Sequence, residues 1–189
     1  MPAPFADAAE NVEAAAFIQD LANKAAEMLG DTSITLEDRE ARFRKLLNNG
    51  FAIKTIGKFV VGRYWRKMSP AQQDEYQKLF GEWMLKIYSS RLGGYSGQTL
   101  KIVKTIDSGK KGIYVRTLIE QPGGGKAIRA DFSVRKSRNG FKIVDIGVEG
   151  ISMLMTQKSE FAALLRKRGV VGLIEMLRAR NSKFPAMSG

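Results

Sequence analysis

The chain has 189 residues, 44% of them apolar and 26% charged, and its 31 Lys and Arg against 19 Asp and Glu give a net charge of +12. It contains no Cys and no His, which excludes disulfides, a thiol nucleophile, an imidazole base and the usual zinc sites. The size suits a single domain, residues 1–189, with a core that needs no staples.

Any enzyme here would have to work with Asp, Glu, Lys, Tyr or Ser alone, so no catalysis is expected. No cofactor is expected either, though the scattered acids leave an all-carboxylate site for a hard cation open. The charge is uneven. Residues 1–50 hold 9 acids and 5 bases (−4), and residues 51–189 hold 10 acids and 26 bases (+16). A basic body attracts phosphate on nucleic acid, on an anionic bilayer or on a lipid headgroup. The same residues also serve as solvated faces. No run of about 18 apolar residues is present, so no membrane-spanning segment is predicted. The segment Met1-Pro2-Ala3-Pro4-Phe5-Ala6 lacks the basic and apolar regions of a signal peptide. By itself this leaves open whether the chain stays inside the cell or has lost a signal sequence.

Residues 8–29 read as an amphipathic helix with Ala14, Phe17, Ile18, Leu21, Ala25 and Met28 on one face, stopped by Gly30. Thr35 offers an N-cap for a second helix that runs to about Asn48-Asn49-Gly50, with Asp38 at its third position. Phe51 to Lys67 carries Ile53, Ile56, Val60 and Tyr64 on one stripe. Gly57 and Gly62 interrupt it, which points to close packing or a kink. Ser69-Pro70-Ala71-Gln72 is a helix start in which Ser69 and Gln72 reach each other's backbone N–H. That helix is predicted to about Leu92, closed by Gly93-Gly94, with Tyr76, Phe80, Trp83, Met84, Ile87 and Tyr88 on one face.

From Gly97 the apolar period changes from about 3.6 to 2. Four strands are predicted, 98–107, 112–121, 126–136 and 140–149, joined by short turns and therefore antiparallel neighbours. In the third, Ile128, Ala130, Phe132 and Val134 alternate with Arg129, Asp131, Ser133 and Arg135. In the fourth, Val144, Ile146 and Val148 are expected on one face and Phe141, Ile143 and Asp145 on the other. Two helices close the chain, Met153 to Arg168 and Val170 to Arg180, before a frayed tail from Ser182 to Gly189. The fold class is α+β, with helices packed on one face of a curved four-stranded antiparallel sheet. The wedge between such layers is a common place for an apolar pocket.

Gly123-Gly124-Gly125 sits between strands and opens no helix, so it reads as a turn and not as a phosphate loop. Asp131, Asp145 and Tyr114 could form a carboxylate and phenol site, but the plainer reading, an Asp beside Arg on an alternating strand, is favoured.

Two blocks carry a family resemblance. The first is Val61-Gly62-Arg63-Tyr64-Trp65-Arg66, Ser69-Pro70, Phe80 and Tyr88. The second is Phe141-Lys142-Ile143-Val144-Asp145-Ile146, then Val148-Glu149-Gly150-Ile151-Ser152, with Ser159 and Phe161 after it. In this order they resemble the MlaC, or toluene-tolerance, family over about residues 33–178. Phe51-Ala52 stands where the family often has Phe-Asp, and Phe141 where Trp or another aromatic is usual.

The resemblance implies a nuclear-transport-factor-like or cystatin-like cone. It also implies a periplasmic protein whose signal peptide is absent from this sequence. Its cavity would take the acyl chains of a phospholipid and leave the headgroup outside. The carried phospholipid would be its only small-molecule ligand. The implied partners are an outer-membrane lipoprotein–porin complex and an inner-membrane complex of an MCE-domain ring with an ABC transporter. The implied role is to maintain outer-membrane lipid asymmetry. A monomer that binds no nucleic acid is expected.

From face and family together, the expected cavity wall is Ile56, Val60, Trp83, Ile87, Val115, Phe132, Val134, Ile146, Val148, Met153 and Phe161. Arg63, Arg66 and the strand arginines are expected to face the headgroup or a membrane. Two other readings stay open: a basic nucleic-acid-binding module, and a small isomerase or hydrolase in a cone-shaped fold.

Overall fold

The computed structural model of the protein describes residues 4–31, 33–90 and 95–183. The Gly93-Gly94 stop and residues 184–189 of the expected tail lie outside the described residues.

Helix α1 spans Pro4–Gly30 and α2 spans Leu36–Gly50. The Thr35 side chain caps α2 by accepting from the Asp38 N–H at 3.1 Å. The next stretch divides in two: α3, Ile53–Val61, and a 3₁₀ turn, Gly62–Lys67. The two interrupting glycines act differently. At Gly57 a Cβ would sit 2.9 Å from both Gln77 Oε1 and Phe80 Cδ1, so this glycine lets α3 lie against the next helix. Gly62, at φ 54°, is the point where the α-helix gives way to the 3₁₀ turn.

Helix α4, Pro70–Ser90, starts on the reciprocal cap read from the sequence. Ser69 N–H donates to Gln72 Oε1 at 3.0 Å, and Gln72 N–H donates to Ser69 Oγ at 3.2 Å. Buried Tyr76 ties α4 to α3 by donating its hydroxyl proton to Gly57 O at 2.8 Å. Burial pushes that phenol far above its ordinary range, so it stays a donor.

The strands are β1 (Thr99–Asp107), β2 (Ile113–Glu120), β3 (Ile128–Ser137), β4 (Gly140–Val148) and a short β5 (Ile151–Ser152). They form one antiparallel sheet in sequence order. The four expected strands are all present, and β5 is an addition. It forms because Glu149 and Gly150 both take positive φ, 49° and 85°, turning the chain back in a two-residue hairpin that pairs Val148 with Ile151. Helix α5, Met153–Lys183, breaks its helical geometry at Gly169 (φ 64°, ψ −168°). The predicted gap between Arg168 and Val170 falls there, and Ser182 belongs to the second arm.

The sheet's two faces have different covers. Ile113, Val115, Val134, Phe141 and Ile143 are buried with Ala14 and Ile18 of α1. On the other face, α3 and the first arm of α5 approach β4. A third layer forms where α4 meets α3, the 3₁₀ turn and α5, with Val60, Tyr76, Phe80, Trp83, Phe161, Leu165, Leu173 and Leu177 at its centre. Phe80 and Phe161 meet edge-on at 6.1 Å.

The reading of β4 as a simple alternation is corrected. Ser133 pairs with Asp145 but Val134 pairs with Ile143, so Val144 is an extra residue in a β-bulge. A bulge reverses the alternation beyond it. Phe141 and Ile143 therefore share the α1 face with Ile146, while Val144 and Asp145 turn to the opposite side. A second bulge, at Val103 of β1, lies between Ile102 and Lys104.

Candidate functional site

Because α1 covers the apolar face, the other sheet face is left with the polar half of each strand. Its rows follow from register: Lys104, Arg116, Asp131 and Gly147 across the sheet, then Ile106, Tyr114, Ser133 and Asp145. Over these rows α3 and α5, packed against each other, stand off from the sheet and leave a cleft of about 780 Å³. Its floor is Tyr114, Arg116, Asp131, Ser133 and Asp145, exposed Lys111 and Arg135 stand at one edge, and its upper walls are Thr55, Ile56, Phe59, Leu154 and Met155. A second cleft of about 290 Å³ adjoins it, lined by Phe51, Phe80, Trp83, Met84, Ile87, Tyr88, Ile146, Met153 and Arg180 among others. Ile56, Val144, Asp145 and Leu154 line both clefts and form the ridge between them.

The wider cleft has an apolar mouth. Phe59, Ile106 and Met155 line it while remaining 42%, 38% and 50% exposed. Ile151, on β5 beside the cleft, is 61% exposed. Single exposed apolar side chains are ordinary, but a group of them around one opening marks a surface that meets another apolar body. Lys158 lies over the Phe59 ring with its Nζ 4.2 Å from the centroid, so a cation stands at the same mouth.

The acids of the floor are committed to structure. Arg116 Nε donates to Asp131 Oδ1 at 2.9 Å. Arg129 Nε stands 3.4 Å from the other carboxylate oxygen, a charge contact without hydrogen-bond geometry. Asp145 accepts from Ser152 Oγ at 2.5 Å and from the Leu154 N–H at 2.9 Å, while Ser152 Oγ accepts from the Met155 N–H at 3.0 Å. Together Asp145 and Ser152 cap α5. Neither carboxylate is presented as a free acid or base beside Tyr114. Among the described residues no three carboxylates gather to hold a metal ion.

Among the described residues the open face also lacks a stacking platform. Of the strand aromatics, Tyr114 is on it, whereas Phe132 and Phe141 pack toward α1. Base recognition on a sheet uses two or three exposed rings.

The residues expected from the sequence fall into three places. Ile56, Trp83, Ile87, Ile146 and Met153 line the narrower cleft, and Ile56 reaches the wider one too. Val60 and Phe161 are 1% and 2% exposed in the helical core. Val115 and Val134 are fully buried under α1, with Phe132 packed against them. Val148, paired with Ala130, shares that side of the sheet. These last six line neither cleft.

Arg63 and Arg66 are exposed on the 3₁₀ turn, where Arg63 lies over the Tyr64 ring, and they line neither cleft. Among the described residues the cations that do line the wider cleft are Lys111, Arg116 and Arg135. The two arginines were legible as the polar positions of their strands. Lys111, in a turn, carried no signal.

The comparisons with known proteins converge. The MlaC protein family model matches residues 19–179. The intermembrane phospholipid transport system binding protein MlaC of Haemophilus influenzae is 29% identical over 134 residues, covering 69% of this chain and 63% of that protein. The matched part therefore spans less than two thirds of that relative's length. The solved structure of the phospholipid-binding protein from Ralstonia solanacearum in complex with a phospholipid is 25% identical. It superposes with a TM-score of 0.80 over 91% of this chain and 98% of that one.

Proposed function

This chain belongs to the MlaC family, and on that premise we propose that it is a soluble, single-domain periplasmic carrier of phospholipid with no catalytic step. One observation carries the reading: exposed Phe59, Ile106 and Met155 all line one 780 Å³ cleft that no part of the described chain fills. Each CH₂ withdrawn from water contributes about 0.8 kcal/mol, so long acyl chains leave a membrane only for an apolar enclosure. The cleft between α3, α5 and the sheet offers one, and the adjoining cleft with Ile87, Ile146 and Met153 extends it. The phospholipid-binding relatives support the same ligand class.

In this reading the protein takes lipid at an outer-membrane lipoprotein–porin complex and exchanges it with an MCE-domain ABC transporter complex of the inner membrane. That exchange would maintain the lipid asymmetry of the outer membrane. A monomer suffices, because both clefts are built from one chain. The engaged state of Asp131 and Asp145 weighs against an isomerase or hydrolase, and the lone Tyr114 weighs against a nucleic-acid platform.

The test is native mass spectrometry with lipid extraction, on the purified protein and after exposure to phospholipid vesicles. A mass increment matching bound phospholipid is expected. Consistent absence of lipid, with no uptake from vesicles, would overturn the proposal.

A further inference from the structure

The charges of the wider cleft do not cancel. Its two acids are engaged, Asp131 by Arg116 and Asp145 by the start of α5. Lys111 and Arg135 line the same cleft, and no carboxylate pairs with either among the described residues. Their proximity is built into the chain. Arg135 Nε donates to Lys111 O at 3.3 Å. The turn that carries Lys111 is closed by the Ser108 N–H donating to Gly112 O at 2.9 Å. It is pressed onto β3 so closely that a Cβ at Gly112 would fall 2.3 Å from Val134 O. Both side chains are exposed.

We infer that Lys111 and Arg135 form a phosphate site at the rim of the wider cleft. An ammonium and a guanidinium that line one cleft, with the guanidinium anchored on the backbone that carries the ammonium, supply charged donors for several phosphate oxygens. Ile106 and Tyr114 line the cleft next to this pair, and Phe59 and Met155 stand on the opposing helices. A phosphodiester at the rim therefore leaves its acyl chains on the apolar mouth. Asp131 is four residues from Arg135 along β3, about 13 Å at about 3.3 Å per residue, so its ion pair with Arg116 does not compete for the rim. The site rests on the carrier reading only for its source of phosphate, which is a lipid headgroup there and inorganic phosphate otherwise.

The experiment loads the protein from phosphatidylglycerol vesicles containing diacylglycerol of the same acyl chains, and reads the ratio of the two lipids bound by mass spectrometry. Wild type is compared with Lys111→Glu/Arg135→Glu and with the milder Lys111→Gln/Arg135→Gln. A parallel arm titrates inorganic phosphate into lipid-free protein, followed by NMR. The ratio is expected to fall about tenfold in the Glu pair and several-fold in the Gln pair, with diacylglycerol uptake unchanged. Unchanged phosphatidylglycerol uptake with saturable phosphate binding that the variants lose supports the site with inorganic phosphate as its source. Unchanged uptake with no phosphate binding overturns the site, as does an equal loss of both lipids. A wild type that loads neither lipid overturns the carrier reading, and the phosphate titration then decides the site alone.

Discussion

The two faces of the sheet share one backbone and meet different fates. On the α1 face, Val115 and Val134 are 0% exposed, and Ile113, Phe141 and Ile143 close around them. On the opposite face, the same strands present Tyr114, Arg116, Ser133 and Arg135 to a cleft of about 780 Å³. The alternation of apolar and polar residues thus assigns stability to one side and leaves the other free to bind. The polar side acquires its apolar character from the helices above it, through Ile56, Phe59, Leu154 and Met155.

The comparison predicts that equal changes on the two faces have unequal costs. The largest effect is expected from Val115→Asp, which places an unpaired charge in the dry layer under α1. It should cost at least about 4 kcal/mol, enough to abolish a cooperative denaturation transition. A Val115→Asp protein of near wild-type stability would show that the α1 face is not dry.

Next comes the joint between the faces. Asp145→Ala removes a cap from α5 and should lower the denaturant-derived stability by about 1–2 kcal/mol. It should also reduce lipid uptake, because the cap positions Leu154 and Met155. Thr117→Val deletes the buried donor to Ala130 O, a 2.8 Å bond on the α1 face. A loss of about 1 kcal/mol is expected, with lipid uptake unchanged.

The smallest effect on stability is expected at the mouth. Phe59→Ser and Met155→Ser should each shift stability by no more than about 0.5 kcal/mol while cutting phospholipid loading several-fold. A mouth variant that unfolds the protein, or leaves loading intact, would break the division of labour between the faces.

Local chemistry was legible and non-local chemistry was not. The Ser69–Gln72 and Thr35–Asp38 caps were readable because each closes within three residues. The break at Gly169 was readable because the apolar pattern restarts at Val170. The bulge at Val144 was not, since an extra residue shows itself only against its partner strand, here β3. The apolar stripe of α1 announced that something lay beneath it without saying what. That is why Val115, Phe132 and Val134 were expected to border the cavity and are found under α1. The apolar half of a strand is the half most worth covering, so an open cleft falls to the polar half. The family blocks fit this division: Val148-Glu149-Gly150-Ile151-Ser152 makes the hairpin and cap that aim α5. Most of those residues position the cleft from beside it.

Acyl-chain occupancy of the face turned away from α1 is what the proposed function requires. It is tested most directly with a phospholipid bearing a photoactivatable diazirine at its acyl terminus, loaded from vesicles and cross-linked, with the modified peptides mapped by mass spectrometry. Adducts are expected on α3, on the first arm of α5 and on the strand positions around Tyr114. Adducts concentrated on α1, or confined to the exposed 3₁₀ turn around Arg63 and Arg66, would contradict it.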